Sequence, residues 1–231
     1  MTITLGIEVS NPSASPEARG VVIARVQRDG SIEELGGSAM PRSVRGSDGV
    51  MAVIDQVCAQ AGLTPGDIGS IAVSIGPGGY TALRIATTTA KVLAGTLGCT
   101  LIPVPTARVA SRGIGGEQLP AVVALASKGT RAWCAIVRAD GRGGASIEPL
   151  GVLEPDALVG SGATHLFADS YLPAGFCEHA ARHGITLAPL VLDAGDTIRA
   201  SVGIPPIEPG GLAPLYAREP DAVTQWRDRH G

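Results

Sequence analysis

The sequence predicts an α/β protein built as two related lobes. Three observations carry that reading. Thr2–Val9 alternates, with Ile3, Leu5, Ile7 and Val9 on one side and Thr2, Thr4, Gly6 and Glu8 on the other, which is the period of a strand. A short apolar run, Ile71–Ile75, passes through the turn Gly76–Gly79 into a helical pattern. Three strands followed by a helix occur once in each half of the chain, so the second half reads as a shortened echo of the first.

The elements follow in order. After the first strand, Asn11–Gly20 is a polar loop containing proline. Val21–Val26 is a second strand, and the Asp29-Gly30 turn favours a hairpin into a third near Ile32–Ala39. Ser47 is a plausible N-cap and Asp48 suits the positive end of a helix dipole. Val50, Val53, Ile54, Val57 and Ala61 then fall at helical spacing, Met51 and Cys58 form a second apolar stripe, and Gly62 stops the helix. Leu63–Asp67 is a connecting turn. Thr81–Leu97 is a long helix stopped by Gly98. Leu101–Val104 is a strand that Pro103 ends early or confines to an edge. In the second half, Ala121–Ala126, Ala132–Val137 and Ala145–Val152 are strands and Asp156–Val159 a helical turn. Thr164–Ala168 is a strand, and Ala174–His183 and Asp193–Gly203 are helices. The boundary between lobes falls near Thr106–Leu119. The expected organisation is one lobe over residues 1–106, a reduced lobe over 107–215 and a polar tail over 216–231.

Composition narrows the function classes. Aromatic residues are only 3% of the chain, so Ala, Val, Ile and Leu must build the core. The net charge is −3 and no run of Lys or Arg occurs, which argues against strong direct nucleic-acid binding. No apolar stretch reaches the roughly 18 residues of a membrane span, and the N-terminus lacks the basic region of a signal peptide. Cys58, Cys99, Cys134 and Cys177 have no metal-ligand spacing and read as reduced thiols, mostly buried, in a cytoplasmic protein.

The candidate chemistry is sparse. Glycines in Gly76–Gly79 permit positive φ and close backbone approach, and the following helix start offers free N–H groups. Two readings stay open: a turn that holds a phosphate or docks a partner, and a tight strand–helix connection with Thr81 as N-cap. No Gly-Lys-Ser/Thr follows, so it is not a Walker loop. Ala82, Ala86, Ala90 and Ala94 are four apart, a spacing that lets a helix approach closely, either from the same lobe or from a partner. Glu8 closes the first strand, where a carboxylate either holds a metal–phosphate complex or stabilises a turn. His179 and His183 are four apart with no third ligand nearby, which favours an ordinary surface helix over a metal pair. Ser127 and Ser161 lack a nucleophile-elbow setting. No catalytic constellation, cofactor site or metal site emerges.

The segment Ile71-Ala72-Val73-Ser74-Ile75-Gly76-Pro77-Gly78-Gly79-Tyr80-Thr81-Ala82-Leu83-Arg84-Ile85 resembles the hallmark of the TsaB (YeaZ) family, which typically reads I-A-V-x-x-G-P-G-S-F-T-G-L-R-I; ten positions match in order. Ala61–Ile68 is similar as well. So is Leu5-Gly6-Ile7-Glu8-Val9-Ser10 against a usual L-A-I-D-T-S, and Pro214-Leu215-Tyr216-Ala217-Arg218 against a closing P-x-Y-L-R. The resemblance is strong over residues 1–106 and looser beyond.

The resemblance implies an actin-like (ASKHA) fold with two lobes, mixed sheets and a reduced second lobe. It implies a part in making threonylcarbamoyl-adenosine beside the tRNA anticodon. The protein would be a non-catalytic subunit that pairs with a TsaD-like subunit holding the chemistry, with a TsaE-like ATPase docking on the pair and a homodimer forming when it is alone. The family's contact through the two helices of the first lobe points to Val50, Met51, Ile54, Cys58, Tyr80, Ala82, Arg84, Ala86 and Ala90 as the interface. An arginine at Ala86 or Ala90 is then expected to break pairing without unfolding the monomer. Glu8 stands where that fold usually has Asp, and Asn11-Pro12 follows where a phosphate-binding turn is usual. Val44–Met51 lacks the His-x-x-x-His of the catalytic relatives, and Ala126-Ser127-Lys128-Gly129-Thr130-Arg131 replaces a usual D-A-R-x-G-E. These losses favour a non-catalytic role over the alternatives, an actin-like ATPase or small-molecule kinase, or a homodimeric structural protein.

Overall fold

A computed structural model describes residues 1–11, 18–40, 47–141, 143–218, 226 and 229, with Ser47 and Asp48 as backbone only. Residues 12–17 of the expected loop, Val44–Gly46, the capping side chains of Ser47 and Asp48, and most of the polar tail with His230 lie outside the described residues.

The chain forms two five-stranded mixed sheets. The first contains β1 (Thr2–Ile7), β2 (Arg19–Val26), β3 (Ile32–Ala39), β4 (Ser70–Gly76) and β5 (Thr100–Pro105) in the order β3-β2-β1-β4-β5. The second contains β6 (Ala121–Ala126), β7 (Ala132–Ala139), β8 (Ala145–Leu153), β9 (His165–Ala168) and β10 (Thr186–Pro189) in the order β10-β9-β6-β7-β8. In each sheet the first three strands are antiparallel neighbours and the last two run parallel to the first. The two orders coincide, so the repeat expected from the sequence is a repeat of topology. β5 is an edge strand, as Pro103 predicts.

Among the described residues, five named α-helices complete the fold: α1 (Ser47–Gln60), α2 (Tyr80–Leu97), α3 (Thr106–Ala110), α4 (Ala174–Arg182) and α5 (Ala194–Ser201). α1 and α2 cover the outer face of the first sheet, where Leu5, Ile7, Val21, Ile23, Ile71 and Val73 meet Val53, Ile54, Val57 and Ala90. Gly98 ends α2 in the left-handed conformation, with its N–H bonded to the Ala94 carbonyl. On the outer face of the second sheet, Val122, Ala124, Cys134 and Ile136 pack against Phe176 and Ala180 of α4.

α3 and α5 lie between the sheets. α5 comes from the second half of the chain yet packs on the inner face of the first sheet, through Val22, Ala24, Ala194 and Ile198. The approach is close: a Cβ on Gly6 would stand 2.4 Å from the Ala194 carbonyl oxygen. α3 shares a cluster with the inner faces of β6 and β7, namely Val123, Leu125, Trp133 and Ala135. The trace therefore crosses the boundary expected near residue 106, and each lobe helps to cover the other. α3 and β10 were not predicted. With five and four residues respectively, neither is long enough to display a period.

Polar contacts fasten α5 to the first sheet. Asp193 caps α5 by accepting from the Gly195 N–H, and it also accepts from Arg19 Nη2 at 2.7 Å and Nε at 3.0 Å. Arg19 also pairs with Glu34, which accepts from Arg199 Nη2 at 2.6 Å. Burial pushes the Asp193 carboxyl up, but the hydrogen bonds from Arg19 and Gly195 outweigh it and hold Asp193 below its ordinary range. Among the described residues no helix is long and apolar enough to cross a membrane.

Candidate functional site

The turn after β4 is shaped by close approach of backbones. Gly76 has φ +112°, and a Cβ there would lie 2.3 Å from the Leu215 carbonyl oxygen. The Gly76–Pro77 peptide bond is cis. A Cβ on Gly78 would lie 2.3 Å from the Ser10 carbonyl oxygen, and the Gly79 N–H donates to that same oxygen at 2.6 Å. The Leu215 N–H donates to the Ile75 carbonyl at 2.7 Å. The turn is thus clamped between the end of β1 and the C-terminal segment. Of the two readings left open by spacing, the tight connection describes its geometry. The N-cap is Gly79 and α2 begins at Tyr80, so Thr81 is not the cap expected from the sequence.

The end of β1 is sealed. Glu8 is 5% exposed; its Oε1 accepts from the Ser10 N–H at 2.8 Å and the Ser10 hydroxyl at 2.6 Å, while Oε2 is buried without a hydrogen-bond partner. Burial pushes the Glu8 carboxyl up, against the Ser10 hydrogen bonds that favour the ionised form. Thr106 Oγ1 donates to Ser10 Oγ at 3.3 Å and lies 3.0 Å from Ser74 Oγ, so buried hydroxyls continue from Glu8 to the start of α3. Beside this cluster Asn11 Nδ2 donates to Asp169 Oδ2 at 2.8 Å, which ties the end of β1 to the end of β9. Asp169, 6% exposed, also accepts from the Ala126 and Tyr171 N–H groups.

Above that bridge an open cleft of about 250 Å³ separates the lobes. Gly78 and Tyr80 form one wall, Ala126, Ser127 and Lys128 another, and the C-terminal segment at Tyr216 and Arg218 the third. Tyr80 and Tyr216 stack with ring centroids 4.8 Å apart, and the Arg84 guanidinium lies 5.5 Å from the Tyr80 ring centroid. The Pro214–Arg218 similarity was the sequence signal for this wall. Asp169 carried none, being one acid after a short strand.

The residues expected at a partner contact divide into two sets. Val50, Ile54, Cys58, Ala86 and Ala90 are buried within the first lobe's core, and Met51 is half-buried against it. The alanine ladder therefore seats α2 inside its own lobe through Ala86, Ala90 and Ala94. The expectation that an arginine at Ala86 or Ala90 would spare the monomer is corrected by that burial. Ala82 is half-buried, and Arg84 and Tyr80 are exposed, Tyr80 to 49%. The outward face of α2 carries Thr81, Arg84, Thr88, Val92 and Gly95, with Val92 61% exposed, and α1 adds Ala52, Gln56 and Ala59. Val92 carries no local sequence signal, being a single apolar residue on the face opposite the alanine ladder.

His179 also departs from expectation. It is 1% exposed, its ring lies 4.3 Å from that of His183, and Asp156 Oδ1 stands 3.5 Å from its Nδ1. The helix is thus partly buried at this pair, while among the described residues no three ligating side chains form a metal group. Cys58 and Cys134 are buried and free, and burial pushes the Cys134 thiol up to about 12, which leaves it inert at neutral pH.

The family model of TsaD, tRNA N6-adenosine threonylcarbamoyltransferase, matches residues 42–142. No curated protein matches the chain. Two Pseudomonas aeruginosa structures share the fold. One, described as an uncharacterized protein with similarity to peptidase YeaZ, is 20% identical with a TM-score of 0.70, over 94% of this chain and 100% of its own. The other, YeaZ, is 21% identical with a TM-score of 0.68 over the same shares. The twin sheets with helices between them are the actin-like fold, which this chain shares over nearly its whole length with the YeaZ structures, and the TsaD family model matches the segment from the start of α1 to the second sheet.

Proposed function

We propose that this protein is a non-catalytic subunit in the synthesis of threonylcarbamoyl-adenosine on tRNA, acting in the cytoplasm by pairing with a TsaD-like transferase. The observation that carries the reading is the outward face of α1 and α2. It is long, it carries one exposed acid, Asp55, and one exposed base, Arg84, and between them small and uncharged polar residues surround an exposed Val92. A face of that kind fits close helix–helix packing, and burying it against a partner removes apolar surface from water. The sealed state of Glu8 supports the non-catalytic part, because a buried carboxylate behind Ser10 is poorly placed to take a metal–phosphate complex. A TsaE-like ATPase would dock on the pair, and a second copy of this chain would take the same face when the partner is absent. The ATPase or kinase alternative needs Glu8 at an open cleft.

The test uses full-length protein with the TsaD-like subunit of the same organism. The two are expected to co-elute, and omitting this chain from a reconstituted reaction is expected to abolish tRNA modification. Val92→Asp is expected to weaken pairing tenfold or more while stability changes by less than about 0.5 kcal/mol, the usual range for an exposed site. Absence of co-elution, with full modification in its absence, would remove the proposal.

A further inference from the structure

The two inner helices are tied to each other by arginines, and the tie falls between the lobes. α5 packs on the first sheet, whereas α3 shares its cluster with β6 and β7 of the second. A helix leaves its last four carbonyls without partners of its own. In α5 each of them has one. The Ile198 carbonyl accepts from the Ser201 hydroxyl at 2.7 Å, and the Ser201 carbonyl accepts from the Ile204 N–H at 3.0 Å. The other two are met from across the layer. Arg108 of α3 donates through Nε to the Ala200 carbonyl at 2.9 Å and through Nη2 to the Val202 carbonyl at 3.1 Å. Arg112, in the 3-10 turn Ser111–Gly113 that follows α3, donates through Nη2 to the Arg199 carbonyl at 3.2 Å. Both guanidiniums also face the negative end of the α5 dipole.

These bonds lie far from the other polar link between the lobes. Arg108 and Arg112 line an open pocket with Leu119 and Asp140, at the end of the second sheet where β6 begins and β7 finishes. The Asn11–Asp169 bond joins the lobes at the opposite end, beyond the last residues of β6 and β9. One fastening leaves a pivot; two at opposite ends of the layer remove it. The apolar contact between them is built largely from small residues, among them Ala72, Ala107, Ala121, Ala135 and Ala200. Such contact is non-directional and does not by itself select an angle. A guanidinium fork on two carbonyls of one helix end does.

We infer that Arg108 and Arg112 form a clamp that, with the Asn11–Asp169 bond, locks the hinge between the lobes and holds them at one angle. The two arginines are positioning residues. The outward face of α1 and α2 and the whole second lobe then move as one body, so a partner that touches both meets a single geometry with no cost for setting it. The clamp does not depend on pairing, and its test uses this chain alone.

Pulsed dipolar spectroscopy measures the angle through a distance. Spin labels are carried on p-acetylphenylalanine at Thr88 and Ala181, both exposed on the outer helices of the two lobes, which leaves the native cysteines untouched. Wild type is expected to give one narrow distance distribution. Arg108→Met combined with Arg112→Met keeps the apolar stems and removes the donors, and is expected to at least double the width or add a second population. Asn11→Ala is expected to do the same by freeing the other end. Arg108→Lys, which replaces the fork with a single point of charge, is expected to fall between wild type and the double variant. Circular dichroism at the same temperature checks that each variant is folded; if the double variant is not, Arg108→Lys and Asn11→Ala decide. A width unchanged in the folded variants, with faster hydrogen exchange confined to residues 202–204, would mean that the arginines merely cap α5, and the clamp is overturned. Two populations in wild type overturn it as well.

Discussion

The two lobes share one strand order and one set of strand directions, yet they are clothed differently. The first sheet carries α1 and α2 on its outer face, 14 and 18 residues long. At the same positions the second sheet carries a 3-10 turn at Pro155–Leu158 and the nine-residue α4. The inner faces are not reduced. α3 and α5 fill the space between the sheets, and each half of the chain contributes one of them. The difference separates two tasks. Strand pairing and the shared inner layer hold the architecture, so the outer layer of one lobe can shrink without loss of fold. Where the outer layer keeps its full length, as in the first lobe, it presents a broad surface beyond what covering the sheet requires.

The largest expected effect comes from attacking the helix–sheet contact of the first lobe. Ala90→Arg places a charge and a long side chain where Ala90 is fully buried against the core. Overpacking and an unpaired buried charge together cost roughly 5 kcal/mol or more. Denaturant unfolding is expected to show loss of the cooperative transition. A folded variant with a normal midpoint would mean that α2 can turn this face outward, and the two lobes would then be clothed more alike than they look.

In the reduced lobe the corresponding strain falls on one residue. Among the described residues Phe176 is the largest fully buried side chain, and it covers the outer face of the second sheet from the short α4. Phe176→Ala is expected to cost about 3 to 5 kcal/mol by urea melts. In the first lobe the corresponding cover is divided among Val53, Ile54, Val57, Ala86, Ala90 and Leu93. A smaller loss at Phe176 would mean that the 3-10 turn, through Leu158, carries more of the cover than its length suggests.

Much of this contrast was legible in the residues. Alternation at β1, the Asp29-Gly30 turn and the Gly76–Arg84 junction each express a local rule strong enough to survive tertiary context. Asp193 lies one residue before α5, where helix capping predicts an acid. What was not legible depends on which surface meets which. Alanines four apart allow close approach to any helix, and only the fold decides that Ala86 and Ala90 face inward. α5 reads as a helix of the second half, but nothing local says that it packs on the first sheet. Tyr80 and Tyr216 are 136 positions apart, and their meeting depends on the C-terminal segment lying against the end of β4, where the Leu215 N–H bonds to the Ile75 carbonyl.

The smallest effect concerns the ends of the two central strands. The residue after β6 is Ser127, half-buried, whereas the residue after β1 is the buried acid Glu8. Burial raises the Glu8 carboxyl above its usual value of 4.5, with Asp193 adding repulsion and Ser10 working against both. The unfolded chain therefore releases this proton at lower pH than the folded chain does. Between the two values the folded state holds more protons, so its stability falls as pH rises from about 4.5, and the loss is complete once pH passes the folded value. Glu8→Gln removes the titration while keeping the side chain's shape. Its melting temperature is expected to match wild type below about pH 4 and to exceed it at pH 7 to 8. Parallel melting curves across that range would mean that Glu8 ionises freely. The end of β1 would then be as open as the end of β6, and the seal around Glu8 that supports a non-catalytic role would be lost.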